Sequence, residues 1–134
     1  MSRQYRSDGI VSRTPAADYT TKRGYLGSSS AGTFTISSSA TTKVTGVILD
    51  GNQTTANYAT EKISVGILGA TAGTVPMRLS GTVVEGAFVQ QSTDGTVVTD
   101  AGSGARVLVG VALESGGTGE NIEVAPITPV YYAS

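Results

Sequence analysis

Ten carboxylates, nine basic side chains and six tyrosines make up the chemically active inventory of this 134-residue chain, which has no His, no Cys and no Trp. Without His or Cys, the usual ligands for zinc, copper and haem are missing. So are the general base that titrates near neutrality and the thiolate nucleophile. What remains is oxygen chemistry. Glu120 and Glu123 are close enough in sequence to raise glycoside hydrolysis, which needs two facing carboxylates. On an alternating strand, however, residues three apart point to opposite faces, so these two do not converge. Asp94, Asp100 and Glu114 beside glycine-rich loops have the donor type for calcium, but the ligand ladder D-x-[DN]-x-[DN]-G is absent.

The remaining candidate motifs resolve the same way. "GSSSAG" at 27–32 is not the G-x-S-x-G elbow, and no Ser-His-Asp relay can be completed without His. "AGSGAR" at 101–106 and "GGTGEN" at 116–121 lack the Gly-Lys-Ser/Thr ending of a phosphate loop, and no helical pattern follows either. The expectation is a protein that is not an enzyme, with no catalytic residues, no metal and no cofactor.

From Thr33 onward the residues that would position any site alternate with period two. "TFTIS" puts Phe34 and Ile36 on one face, "KISVGIL" groups Ile63, Val65 and Ile67, and "TVPMRL" groups Val75, Met77 and Leu79. In "RVLVGVALE", Val107, Val109, Val111 and Leu113 share one face while Leu108, Gly110 and Ala112 share the other. Both faces are apolar, which predicts a central strand buried on both sides. Asp94-Gly95 fits a type I′ hairpin, Asp50-Gly51 ends another strand, and "NQTTANYATEK" at 52–62 has the composition for one helical turn. Pro76, Pro126 and Pro129 belong at strand ends, edges or bulges. There is also an internal echo. "TGVILDG" followed by "EKISV" repeats the sense of "VGVALES" followed by "ENIEV", with a first connection five residues longer, as two hairpins of one pseudo-symmetric barrel would. The predicted fold is all-β, a small sandwich or partly open β-barrel spanning residues 33–134, with an extended N-terminal arm.

That arm, residues 1–32, lacks periodicity. It contains Pro15 and ends in a stretch composed like a flexible hinge. Residues 1–23 carry five basic and two acidic side chains, net +3, against −4 for the rest of the chain. A basic arm on an acidic body suits an acidic protein surface. Its charge is a weak footprint for nucleic acid, which is not an expected partner. Arg3, Arg6, Arg13, Lys22 and Arg23 are candidate charge contacts, and Tyr5, Tyr19 and Tyr25 candidate apolar anchors. The N-terminus has no apolar signal-peptide core and "VLVGVAL" is too short to span a bilayer, so cytoplasmic synthesis without export and no membrane partner are expected.

The succession Gly86, Asp94-Gly95, Leu108-Val109-Gly110-Val111-Ala112, Gly119-Glu120 and Ile122-Glu123-Val124 resembles the capsid cement, or head decoration, proteins of tailed bacteriophages. The likeness covers about residues 44–127, more loosely before Gly81; the long arm and the tail "TPVYYAS" depart from it. The resemblance implies a small all-β structural protein, commonly a homotrimer, that binds the major capsid protein on the outside of an assembled virion and stabilises it. On that reading the arm residues named above would grip the capsid or a neighbouring protomer. A different class of function, a carbohydrate- or receptor-binding β-module, would use exposed aromatics, of which the body offers Phe34, Tyr58, Phe88, Tyr131 and Tyr132.

Overall fold

The computed structural model describes residues 8–50 and 61–134, so the helical turn expected at 52–62 lies almost wholly outside them. Among the described residues ten strands form two sheets. β1 (Ile10–Pro15), β2 (Leu26–Ser30), β3 (Thr33–Ile36), β4 (Gly46–Asp50) and β5 (Ile63–Ile67) close into a barrel in the order β1-β3-β2-β4-β5. β6 (Val75–Arg78), β7 (Phe88–Gln91), β8 (Val97–Thr99), β9 (Arg106–Ala112) and β10 (Asn121–Tyr132) form a second sheet in the order β6-β10-β9-β7-β8. The all-β small-barrel expectation holds.

The second sheet is the first one repeated. In the echo hairpins, β4 and β5 pair Gly46 with Ile67, Val47 with Gly66 and Ile48 with Val65. β9 and β10 pair Gly110 with Pro126, Val111 with Ala125 and Ala112 with Val124, the same register residue for residue. A Cβ added to Gly46 would lie 2.5 Å from Val65 Cγ1, and one added to Gly110 would lie 2.4 Å from Val124 Cγ1. The equivalence extends further. Gly24 N donates to Ile48 O as Gly86 N donates to Ala112 O, and Ile48 N donates to Tyr25 O as Ala112 N donates to Ala87 O. β1 and β3 run parallel with Pro15 opposite Phe34. At the matching place a single parallel bridge, Leu79 to Val97, curls the second sheet toward closure. The two hairpins therefore belong to two units, a closed first barrel and a curled half-barrel, called the second barrel below, and not to one barrel as the sequence suggests.

The extended arm is corrected by this arrangement. Residues 10–15 are β1, paired antiparallel with β5 from Ile10–Gly66 to Arg13–Ile63. Pro15 is compatible because the bonds to β3 come from its neighbours, Thr14 N to Gly32 O and Ala16 N to Phe34 O. The supposed hinge is the β2–β3 hairpin. Its small residues answer a packing demand, since a Cβ on Gly27 would sit 2.9 Å from the Phe34 ring. The body thus begins before Thr33, and Tyr19, only 7% exposed, is part of its core.

β9 is central, between β7 and β10, but it is not buried on both sides along its whole length. A register shift opposite Val89–Gln90 places an extra residue in β9, and a bulge of this kind reverses the alternation. Val107, Val109 and Ala112 join the core, while Val111 is half-buried and Leu113 exposed. Pro76 stands on the edge strand β6, and Pro129 within the irregularity between Pro126 and Val130.

Two clusters make the interior. Tyr19, Phe34, Ile48, Ile63 and Val65 fill the first barrel. The second barrel's residues, among them Val75, Met77, Leu79, Val97 and Val124, form one continuous cluster with Leu26, Val44, Val47 and Leu68 of the first. Because Ile48 points into its own barrel, its neighbour Val47 points out, and that outer face is what the second barrel covers. The type I′ turn of β7–β8, Asp94 (φ 61) and Gly95 (φ 76), caps this junction. Its counterpart in β2–β3 is Ala31 (φ 51) and Gly32 (φ 82). A Cβ at Gly95 would lie 2.7 Å from Leu26 O, whereas one at Gly32 would meet nothing within 4 Å. Both Gly→Ala substitutions carry the backbone strain of a positive φ, but Gly95→Ala adds a collision. Urea unfolding should therefore show Gly95→Ala less stable than Gly32→Ala by about 1–3 kcal/mol.

Candidate interaction surface

The barrel junction is held by polar groups as well as by apolar contact. Arg78 N donates to Gly24 O (3.0 Å), and Asn121 Nδ2 donates to Arg23 O (3.1 Å). The fully buried Gln91 donates from Nε2 to Ala40 O (3.1 Å) and Thr42 O (2.9 Å). The long strand β10 then reaches back. Tyr131 Oη donates to Val44 O and accepts from Val44 N, both at 3.1 Å.

Where the barrels meet, a groove of about 520 Å³ opens between Lys22, Tyr25 and Ser37 on one side and Ser80, Asp94 and Thr96 on the other. Lys22 Nζ lies 4.8 Å from the centroid of the Tyr25 ring and so occupies the aromatic face. Of the candidate arm contacts, these two residues come together here. Arg23 is exposed nearby and donates from Nε to Leu49 O (3.2 Å). Arg13 is on β1, and its Nη1 donates to Ser12 O (2.8 Å). Tyr19 is inside the barrel, its hydroxyl accepting from Ile36 N (3.2 Å), and cannot anchor the chain to a partner. Arg3, Tyr5 and Arg6 lie outside the described residues.

The carboxylates do not converge. Glu120 Oε1 accepts from Gly117 N (2.8 Å), Glu114 Oε1 from Glu123 N (2.8 Å), and Glu123 Oε2 from Thr74 Oγ1 (2.5 Å). Each serves its own turn or strand end. Among the described residues no group of three or more His, Cys, Asp or Glu side chains could hold a metal ion, and no helix is long and apolar enough to cross a membrane.

The surface that sequence reasoning missed is apolar. Among the described residues Val84, Phe88 and Leu113, with Val130, Tyr131 and Tyr132 farther along, are the large hydrophobic side chains left exposed, and all belong to the second barrel. Phe88 pairs with Val111, and Val111 with Ala125, so these three share the outer face of β7, β9 and β10. Val130 on β10 extends it, and its β9 partner Leu108 lies beneath, only 8% exposed. Its signal in the sequence is "VGVAL", where both faces are apolar, a pattern that burial on both sides produces equally.

No known protein family matches the sequence, and no curated protein is similar to it.

At the end of β10 the Arg106 guanidinium packs 4.2 Å from the centroid of the Tyr132 ring. Its Nε donates to Asp100 Oδ1 at 2.6 Å. Partial burial raises the Asp100 pKa, but the Gly102 N–H and the Arg106 charge together outweigh it and hold the carboxyl below its ordinary value of 3.8. A folded-state pKa below the unfolded one contributes stability that is complete above the unfolded value and is lost as pH falls through the folded value. Asp100→Asn should therefore lower stability at pH 7, and the difference from wild type in urea unfolding should shrink as pH drops below about 4.

Proposed function

We propose that the chain is a virion structural protein of the cement or head-decoration type, which adds to the outside of an assembled tailed-phage capsid and bridges its subunits. Two lines of support meet. The residues of the second barrel carry the motif succession that resembles such proteins. The observation that carries most weight is the exposed apolar face of β7, β9 and β10, because an apolar patch on a rigid sheet is the mark of a protein–protein surface. Phe88, 51% exposed on the β7 side of that face, is the aromatic anchor such surfaces use.

Binding of this kind works by mass action. A protein that engages only the assembled shell lowers the free energy of that state, and several weak contacts made together multiply through effective concentration. With residues 10–15 and 26–30 built into the first barrel, docking draws on barrel surfaces, and Arg13, Lys22 and Arg23 supply positive charge from the first barrel. The partners on this reading are the major capsid protein and other copies of the chain, as in a homotrimer, and the location is the outer face of the virion.

The carbohydrate- or receptor-binding reading rests on the groove, but there Lys22 already covers the Tyr25 ring that a sugar would stack on. Density imaging of tailed-phage particles isolated with the chain bound should show two-lobed knobs on the outer shell. Density for the chain elsewhere in the particle, or none, contradicts the proposal, and saturable binding on a glycan array favours the alternative.

A further inference from the structure

The duplication assigns a partner to the open face. Leu26 and Val47, paired across β2 and β4, occupy in the first barrel the positions that Phe88 and Val111 occupy in the second. By the same register Val44 corresponds to Leu108, and Leu49 to Leu113. Leu26, Val44 and Val47 are no more than 1% exposed because the second barrel lies over them; of their counterparts Phe88 is 51% exposed and Val111 half-buried, while Leu108, at 8%, is covered within its own chain, and Leu113 beside them is 43% exposed. One apolar face is thus made twice, covered throughout in the first copy and left open around Phe88, Val111 and Leu113 in the second.

The parts that do the covering are also made twice, with exposure reversed. Gly95 at the docked turn is buried, and its counterpart Gly32 is exposed. Gln91, which reaches Ala40 and Thr42 across the junction, corresponds to exposed Ser29. Asn121, which bonds Arg23 O, corresponds to exposed Lys62. On the receiving side a Cβ added to Gly24 would lie 2.8 Å from Asn121 Oδ1, whereas one added to its counterpart Gly86 would meet nothing within 4 Å. Each chain therefore presents an uncovered face at one end and an unused covering surface at the other.

We propose that the outer face of β7, β9 and β10 binds the first barrel of a second copy of this chain, head to tail, in the relation that the two barrels hold within one chain. Charge favours that pairing. Residues 1–72 carry seven basic and four acidic side chains, net +3, and residues 73–134 carry two basic and six acidic, net −4. The register is also complementary locally, because Asn121 beside Arg23 becomes Lys62 beside Glu85. The contact is not a full copy of the internal one. Thr14 N, the counterpart of Arg78 N, already donates to Gly32 O in its own barrel, so apolar burial and charge carry the association. Such a contact is heterologous: it uses two different surfaces and repeats from chain to chain until rotation closes a ring. This inference does not rest on the capsid reading, since it concerns the free protein in solution.

Native mass spectrometry and sedimentation velocity of the full chain at micromolar concentration test it. Wild type should form multimers, and Phe88→Glu on the face and Ala31→Trp on the turn should each weaken assembly by at least about tenfold. Equimolar mixing of the two variants should yield dimers and nothing larger, because one intact face then meets one intact turn. Lys62→Glu alone should weaken assembly, and adding Glu85→Lys should restore it. These variants are at exposed positions, and an unchanged melting curve verifies their folding. A monomeric wild type, undiminished assembly of Phe88→Glu, or mixed variants that stay monomeric would each overturn the proposal.

Discussion

Everything in this molecule depends on one apolar contact, the cover that the second barrel lays over Leu26, Val44 and Val47 of the first. Fully burying a side chain of this kind is worth about 1.5–3 kcal/mol relative to leaving it in water. A five-stranded barrel of some fifty described residues is too small to hide both the inside and the outside of its strands. The first barrel has apolar residues on both sides of β4, with Ile48 turned in and Val47 turned out. Its outer set is satisfied only because a second barrel is tethered beside it. Gln91, Asn121 and Tyr131 then pair polar groups across the junction, including backbone atoms at Arg23, Ala40, Thr42 and Val44. The satisfaction is one-sided: the amide nitrogens of Gln91 and Asn121 are paired, whereas Gln91 Oε1 and Asn121 Oδ1 are buried without a hydrogen-bond partner among the described residues.

Duplication explains both the economy and the exposure. A repeated barrel repeats its outer face, and within residues 8–134 only the first copy of that face is covered. That is the logic of solenoid ends, where terminal units need a polar cap to stay soluble. Here the second barrel keeps Phe88 and Leu113 in place of a cap. A surface left uncapped at the end of an internal repeat is suited to assembly, and a structural protein whose work is to bridge subunits would use it.

How much of this was legible in the sequence follows from physical scale. Strand periodicity is local, so β3, β5, β6 and β9 could be read from alternation, as could the turn at Asp94-Gly95. The first two strands were hidden because their outward residues are polar or small. Ser12 and Arg13 break the alternation of β1, and Gly27 in "LGSSS" makes room for the Phe34 ring instead of supplying flexibility. The echo between the two hairpins was visible, but not that each belongs to a different barrel. Elsewhere the equivalent positions hold different residues, such as Leu26 and Phe88, or Phe34 and Val97. The open face could not be recognised at all, because what distinguishes Phe88 from Leu26 is the presence of a neighbouring barrel and not anything in its own strand.

The most direct measurement of the head-to-tail relation is zero-length cross-linking of a mixture of isotopically heavy and light chains, with the joined peptides identified by mass. The account predicts mixed-label links between Lys62 of one chain and Glu85 of another, because that pair takes the place of Asn121 and Arg23 at the internal junction. Mixed-label links from Lys62 that instead reach carboxylates of the first barrel, such as Asp8 or Asp18, with none to Glu85, would contradict it.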